Sequence, residues 1–272
     1  MIKKLLTIIA IATSSLSFGQ KIAAGGYHSL FLCSDSTVKS CGWNSHGQLG
    51  TGNNVDKTLP EGISNLSGIT AISAGFRSSL FLKSDSTVLA CGENLLGQLG
   101  NGNTVNQLTP VPVIGINQIT AVGMGSYHSL FLKKNGTVWG SGESSYGALG
   151  NSFPNSGSST PLQIYSATKA IAVGRQHSLF LKNDGSVWGC GFNFDGQLGN
   201  GYNTSSIFKK AAISGTVIAI ATESGHSLFI KNDSTVWACG SNFYGQLGTG
   251  NRNSTSVPIK VDISGKVVAI AA

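Results

Sequence analysis

The sequence predicts an all-β protein, a β-propeller of four-stranded blades, on three observations. An apolar Ser-Leu-Phe-(Leu/Ile) run recurs five times, starting at Ser29, Ser79, Ser129, Ser178 and Ser227, at intervals of 50, 50, 49 and 49 residues. A second landmark keeps the same period: Gly-Gln-Leu-Gly at Gly47, Gly97, Gly196 and Gly245, with Gly-Ala-Leu-Gly at Gly147. The 37 glycines, with no sustained 3.6-residue apolar period, argue against helix. Units repeating every 20 to 50 residues or so cannot bury an apolar face alone, so stacking them makes the core.

Each repeat reads as four short strands. The first is an Ala/Ile/Val segment: Ile69 to Ala74, Ile119 to Gly123, Ala170 to Val173 and Ile218 to Ala221. The second is Ser-Leu-Phe-Leu itself, and the third is Thr-Val-X-X-(Cys/Ser)-Gly, as at Thr137 to Gly142. The fourth is expected in the variable stretch after Gln-Leu-Gly, for example Pro110 to Val113 or Val257 to Val261. Strands two and three flank Asn135-Gly136, Asp184-Gly185 or an Asp-Ser pair, which predicts a two-residue type I′ hairpin. Four short strands per repeat, with turn residues between them, favour a propeller blade.

The first nineteen residues read as a secretory leader. Lys3 and Lys4 precede a charge-free stretch from Leu5 to Phe18, and small residues stand at Ser17 and Gly19 before Gln20. The stretch is shorter than the roughly 20 apolar residues that span a bilayer, so no membrane span is expected. Export is therefore expected, to the periplasm, the cell surface or the medium. The array is expected over residues 20–272, with repeats near 21–70, 71–120, 121–169, 170–218 and 219–267 and the start of a sixth at 268–272. Removing the leader lowers the net charge from +7 to +5 on a chain that is 11% charged. The basic residues are scattered, apart from Lys133-Lys134 and Lys209-Lys210, so nucleic acid is not the expected partner.

Five cysteines in an exported chain suggest disulfides, but their spacing argues against them. Cys41, Cys91, Cys190 and Cys239 hold one slot in four repeats, with Ser141 in the other. Equivalent slots lie a repeat width apart, beyond the 7 Å or so that a disulfide permits between Cα atoms. By the two-residue hairpin, Cys33 faces Val38 and Cys41 faces Leu30, which places the two thiols on opposite sheet faces and leaves them unbonded.

The Trp-Asp dipeptide of WD40 blades and the paired glycines of kelch are missing. In the fourth repeat the sequence runs Gly174-Arg175-Gln176-His177-Ser178-Leu179-Phe180-Leu181, then Asp184-Gly185-Ser186-Val187-Trp188-Gly189-Cys190-Gly191-Phe192-Asn193, then Gly196-Gln197-Leu198-Gly199. This resembles the RCC1 (regulator of chromosome condensation) repeat, in five copies across the mature chain. The resemblance implies the propeller fold. Its name-giving members are nuclear exchange factors for a small GTPase, a role at odds with a leader and with the lack of a long wedge-like insertion, so no exchange activity is expected. The leader's style and the repeat class together point to a bacterial source. Family propellers commonly close with seven blades, whereas Val267 to Ala272 here only restarts a first strand. The expectation is a piece of a longer array, with a five-bladed or open array as the alternative.

The recurring polar residues read as structural. His28, His128, His177 and His226 share one slot, and Arg77 is expected to take their place in the second repeat. Equivalent atoms in different blades diverge, so they are not expected to converge on a metal. Each histidine is expected to cap a loop or pair with backbone inside its own blade. No catalytic triad can be picked out, and eleven acidic residues poorly support a glycosidase pair. No enzyme and no cofactor are expected.

With strands running up and down, the loops joining first to second and third to fourth strands share one face. Tyr27, His46, Phe76, Arg77, Leu96, Tyr127, Tyr146, Arg175, Phe194, Phe243 and Tyr244 lie there, varying between repeats while their flanks stay fixed. Variable aromatics and arginines on a rigid scaffold suit a protein interface. Leu95, Phe194 and Phe243 also suit gap-filling between blades. The leading reading is a secreted, non-catalytic propeller that binds another protein. The alternatives are a structural or adhesive portion of a longer exported protein and, less well supported, a polysaccharide-acting enzyme.

Overall fold

The computed structural model describes residues 22–150 and 157–272. The leader expected at residues 1–19 lies outside the described residues. Among the described residues, twenty strands form five antiparallel sheets of four. Blade 1 holds β1 (Ile22–Ala24), β2 (His28–Leu32), β3 (Val38–Gly42) and β4 (Lys57–Gly62). Blade 2 holds β5 (Ile69–Ala74), β6 (Ser78–Lys83), β7 (Val88–Gly92) and β8 (Gln107–Pro112). Blade 3 holds β9 (Ile119–Met124), β10 (His128–Lys133), β11 (Val138–Gly142) and β12 (Ser158–Tyr165). Blade 4 holds β13 (Thr168–Val173), β14 (His177–Lys182), β15 (Val187–Gly191) and β16 (Ser206–Lys210). Blade 5 holds β17 (Val217–Thr222), β18 (His226–Lys231), β19 (Val236–Gly240) and β20 (Thr255–Lys260). The strands of each blade neighbour one another in chain order. The fourth strands β8 and β20 begin a few residues before the sequence-based bounds.

The core lies between blades, because Ser-Leu-Phe-Leu sends Leu to one sheet face and Phe to the other. Leu30, Val38 and Ile63 of blade 1 meet Ile72, Phe81 and Cys91 of blade 2. The same layer recurs around Leu80 and Phe131, Leu130 and Phe180, and Leu179 and Phe229. These four phenylalanines are fully buried, each worth roughly 1.5–3 kcal/mol. Phe31, their counterpart in blade 1, is only half-buried. At the far side of blade 5, Val236, Ala238 and Leu247 are covered by Val267 and Ile270, in a segment that forms no strand.

The hairpins differ from the sequence-based expectation. Gly136 N–H bonds Lys133 O at 2.9 Å and Lys133 N–H bonds Thr137 O at 2.9 Å. Gly136 sits at φ 79° and its counterparts Ser36, Ser86 and Ser234 at 64–66°. One left-handed residue after a turn makes a three-residue loop, not the two-residue type I′ turn. Asp35, Asp85, Asp184 and Asp233 secure it by accepting from the N–H and hydroxyl two residues on, as Asp184 does from Ser186 at 2.9 and 2.6 Å. The pairing slips by one: Leu32 opposes Val38 and Cys41 opposes Ser29. Cys33 and Cys41 therefore share a face, contrary to the expectation. What separates them is distance along the strands, about 13 Å for four residues, and all five cysteines are free.

The histidines also behave differently. His28 Nε2 reaches Ser79 Oγ of the next blade at 2.9 Å, and His128 Nε2 reaches Ser178 Oγ at 2.9 Å. His177 Nε2 lies 2.6 Å from Thr222 Oγ1 of blade 5. The partner is the neighbouring blade, not the histidine's own backbone. Ser79 and Ser178 already donate their hydroxyl protons to Gln48 O and Ala148 O at 2.7 Å, so Nε2 must be the donor. Nδ1 of His28 and His177 is buried without a partner, which disfavours imidazolium. Burial pushes His28 and His128 down to about 4 and His177 to about 3.

In four of the five blades a buried asparagine shapes the long loop between third and fourth strands, and blade 3 has Ser144 in its place, accepting from Leu149 N at 3.3 Å. Asn94 Oδ1 accepts from Leu99 N at 2.9 Å, while its Nδ2 donates to Asn103 O and Val105 O at 3.0 and 3.1 Å. Asn44, Asn193 and Asn242 repeat this set. The preceding Gly92 has φ 106°, and a Cβ there would stand 2.4 Å from Arg77 O, so the strand exit accepts only glycine.

Two stability predictions follow from these buried polar groups. Asn94→Ala leaves several buried groups unpaired and costs about 2–4 kcal/mol in urea unfolding; a loss below about 0.5 kcal/mol would contradict the network. The depressed histidine pKa values mean that the unfolded chain takes up protons below about pH 6.5 while the folded chain does not. Stability is thus full above about pH 6.5 and falls toward pH 4, by up to about 1.4 kcal/mol per histidine per pH unit. Equal unfolding free energies at about pH 7.5 and about pH 5 would refute this.

Candidate functional site

The loop face is built on strand ends tied to each other. In every blade a backbone bond joins the two loops: Trp43 N to Tyr27 O, Glu93 N to Arg77 O, Glu143 N to Tyr127 O, Phe192 N to Gln176 O and Ser241 N to Gly225 O, at 2.8–2.9 Å. Bonds also cross between blades, from Ser126 N to Arg175 O at 3.1 Å and from Arg175 N to Glu223 O at 2.7 Å. Both loop sets share one side, as the up-and-down order requires. At Gly125 a Cβ would lie 2.5 Å from Gly174 O, so glycine is needed for this close approach of blades.

Between blades 1 and 2 the face carries a dense cluster. The Arg77 guanidinium lies 5.3 Å from the Trp43 ring centre and 5.2 Å from that of Phe76. Its Nη1 is 3.2 Å from Glu93 Oε1, and His46 Nε2 approaches the same oxygen at 3.6 Å. Tyr27 packs edge-on against Trp43 at 5.7 Å and tilted against Phe76 at 5.6 Å, with 63% of its surface still exposed. Glu93 is buried, and its Oε2 and the Arg77 Nε have no partner. A guanidinium held between two rings and anchored on a buried carboxylate has little side-chain freedom left to lose on binding.

A second cluster spans blades 3 and 4. Tyr146 meets Phe192 at 5.2 Å and Phe192 meets Phe194 at 5.0 Å, both edge-on. Tyr127 and Tyr146 line a shallow pocket with Glu143, Ser145 and Gln176, where Ser145 Oγ bonds Glu143. Arg175 is exposed beside it. Leu96 stands exposed on blade 2. On blade 5, Phe243 and Tyr244 are 64% and 90% exposed. Leu95, Phe194 and Phe243 are all exposed, so none fills a gap between blades.

The structure adds residues that the sequence reading passed over: Trp43, Glu93, Glu143 and Phe192, all directly after the Gly that ends the third strand. The signal was available, since this slot reads Trp, Glu, Glu, Phe and Ser across the five repeats. Among the described residues no helix is long and apolar enough to cross a membrane.

A solved structure similar to this chain is human WBSCR16, at 24% identity and a TM-score of 0.82, covering 92% of this chain and 68% of that one. Yeast RCC1 (Prp20), solved bound to Kap60, is similar at 24% identity and a TM-score of 0.81, over 92% of this chain and 65% of its own. These likenesses speak for the fold. A Caenorhabditis elegans X-linked retinitis pigmentosa GTPase regulator homolog is 43% identical over 49 residues, 17% of this chain and 4% of that protein. The chain thus spans a small part of that relative and less than two thirds of Prp20. The pattern of the regulator of chromosome condensation (RCC1) repeat matches residues 20–48, 69–98, 119–148, 169–197 and 217–246. A second description of the same repeat matches 35–82, 85–132, 184–230 and 233–272. With five repeats matched and each folded as a four-stranded blade, this chain belongs to the RCC1 repeat family.

Proposed function

We propose that this chain is an exported, non-catalytic propeller that binds another protein through its loop face. The observation that carries the reading is the cluster of Tyr27, Trp43, Phe76, Arg77 and Glu93, an aromatic and arginine patch on a face braced by backbone bonds within and between blades. Trp, Tyr and Arg are the residue types that dominate protein-binding hot spots. Rigid bracing lowers the ordering cost of association. The exposed rings of Phe194, Phe243 and Tyr244 extend the same face across blades 4 and 5. The similar yeast protein was solved bound to Kap60, which supports protein recognition as a use of such arrays.

The experiment is capture from extract of the native source, identification of the retained protein, and a Kd for the purified pair. A variant with Tyr27→Ala, Arg77→Ala, Phe243→Ala and Tyr244→Ala is expected to bind at least about a hundredfold more weakly while its circular dichroism stays unchanged. A folded variant with an unchanged Kd would refute the assignment of this face.

A further inference from the structure

The face opposite the loops carries its own pattern, and charge separates the two. On the loop face stand Asp56, Glu93, Glu143, Asp195 and Glu223 against Arg77, Arg175 and Arg252. On the hairpin face of blades 3 to 5, the lysines that end β10, β14 and β18 each lie over a tryptophan of the next strand. Lys133 Nζ is 5.3 Å from the Trp139 ring centre, Lys182 is 5.6 Å from Trp188, and Lys231 is 4.9 Å from Trp237. Exposed Lys134, Lys209, Lys210 and Lys260 extend the rim, since Lys210 pairs across from Trp188 and Lys260 from Trp237. Lys169 and Lys266 flank it.

The acids on this rim are Asp184, Asp233 and Asp262. Asp184 and Asp233 are committed to their hairpins, each accepting a backbone N–H and a hydroxyl. Among the described residues no ion pair involves a lysine of blades 3 to 5. Blades 1 and 2 differ: there Lys83 pairs with Asp85 at 2.9 Å and Lys57 with Glu61 at 2.9 Å. The free positive charge is therefore concentrated on three consecutive blades, with the exposed Lys39 of blade 1 standing alone outside them.

We propose that this hairpin face docks on an anionic phospholipid surface. Register-equivalent lysines of successive blades stand at one level across the array, so their ammonium groups form a plane, which suits a plane of headgroups better than a rod. The rim uses lysines rather than the arginine forks that grip single phosphates. Its tryptophans are half-buried beneath the lysines, which leaves no free ring to stack a nucleic-acid base. The acidic bias of the opposite side turns the loop face away from the membrane. This orientation presents the candidate binding face outward, but the docking itself does not depend on that face having a partner.

The test is sedimentation of the purified protein with phosphatidylcholine vesicles, with and without phosphatidylglycerol. Binding is expected to the anionic vesicles and not to the neutral ones, and to weaken as salt is raised. Changing Lys134→Gln, Lys209→Gln, Lys210→Gln and Lys260→Gln together removes exposed charges without touching the core. It is expected to weaken vesicle binding about fivefold per lysine, while Lys39→Gln with Lys83→Gln leaves it unchanged. Equal binding to both vesicle types, a quadruple variant that binds as before, or preference for duplex DNA or a sulfated polysaccharide over the vesicles would each overturn the proposal.

Discussion

The array depends on a buried polar contact repeated where one blade meets the next. The serine that opens each Ser-Leu-Phe run after the first gives its proton to a carbonyl of the preceding blade: Ser79 to Gln48 O, Ser129 to Gln98 O, Ser178 to Ala148 O and Ser227 to Gln197 O, each at 2.7 Å. The histidine of the preceding blade then donates to Ser79 and Ser178. Apolar layers supply most of the attraction between blades but little register, because they tolerate sliding. A hydroxyl held between a carbonyl and an imidazole has one position, and leaving any of the three unpaired in a dry interface carries the full desolvation penalty.

The one junction without a histidine supports this view. Blade 2 carries Ser78, not Arg77, in that slot: Ser78 opposes Gly92 as His28 opposes Gly42, and its hydroxyl donates to Glu93 O at 2.8 Å. Ser129 across the junction has no imidazole partner, yet blade 3 is also the blade in which serine replaces the recurrent cysteine. Ser141 Oγ stands 2.8 Å from Ser129 Oγ. Two departures from the repeat pattern therefore meet at one junction: serine for histidine in blade 2 and serine for cysteine in blade 3.

Much of this architecture was legible in the chain. The period and the Leu/Phe alternation gave the blades and their apolar layers, and repetition of the cysteine slot argued correctly against disulfides between blades. The hairpin type was misread because Asn-Gly suits two turns equally. Only the register, with Gly136 alone at positive φ while Asn135 is not, separates them. That slip reversed the facing of Cys33 relative to Cys41. The histidine contacts were missed for a different reason: the partner lies about fifty positions away, and no local pattern distinguishes a bond within a blade from one between blades. On the loop face, variability marked His46, Phe76 and Arg77, which the structure gathers around Glu93. Glu93, hidden beneath them, is buried and was legible only as one more variable slot. The hairpin-face lysines looked scattered along the chain because a propeller gathers charges from positions a full period apart.

The most direct measurement is a double-mutant cycle on His128 and Ser178, using His128→Ala, Ser178→Ala and the pair, each unfolded in urea near neutral pH. If the polar contact holds adjacent blades in register, the two changes are coupled by about 1 kcal/mol or more, and the double variant loses less than the sum of the singles. Additivity within about 0.3 kcal/mol would show that the apolar layers alone align the blades and that the contact between histidine and serine is incidental.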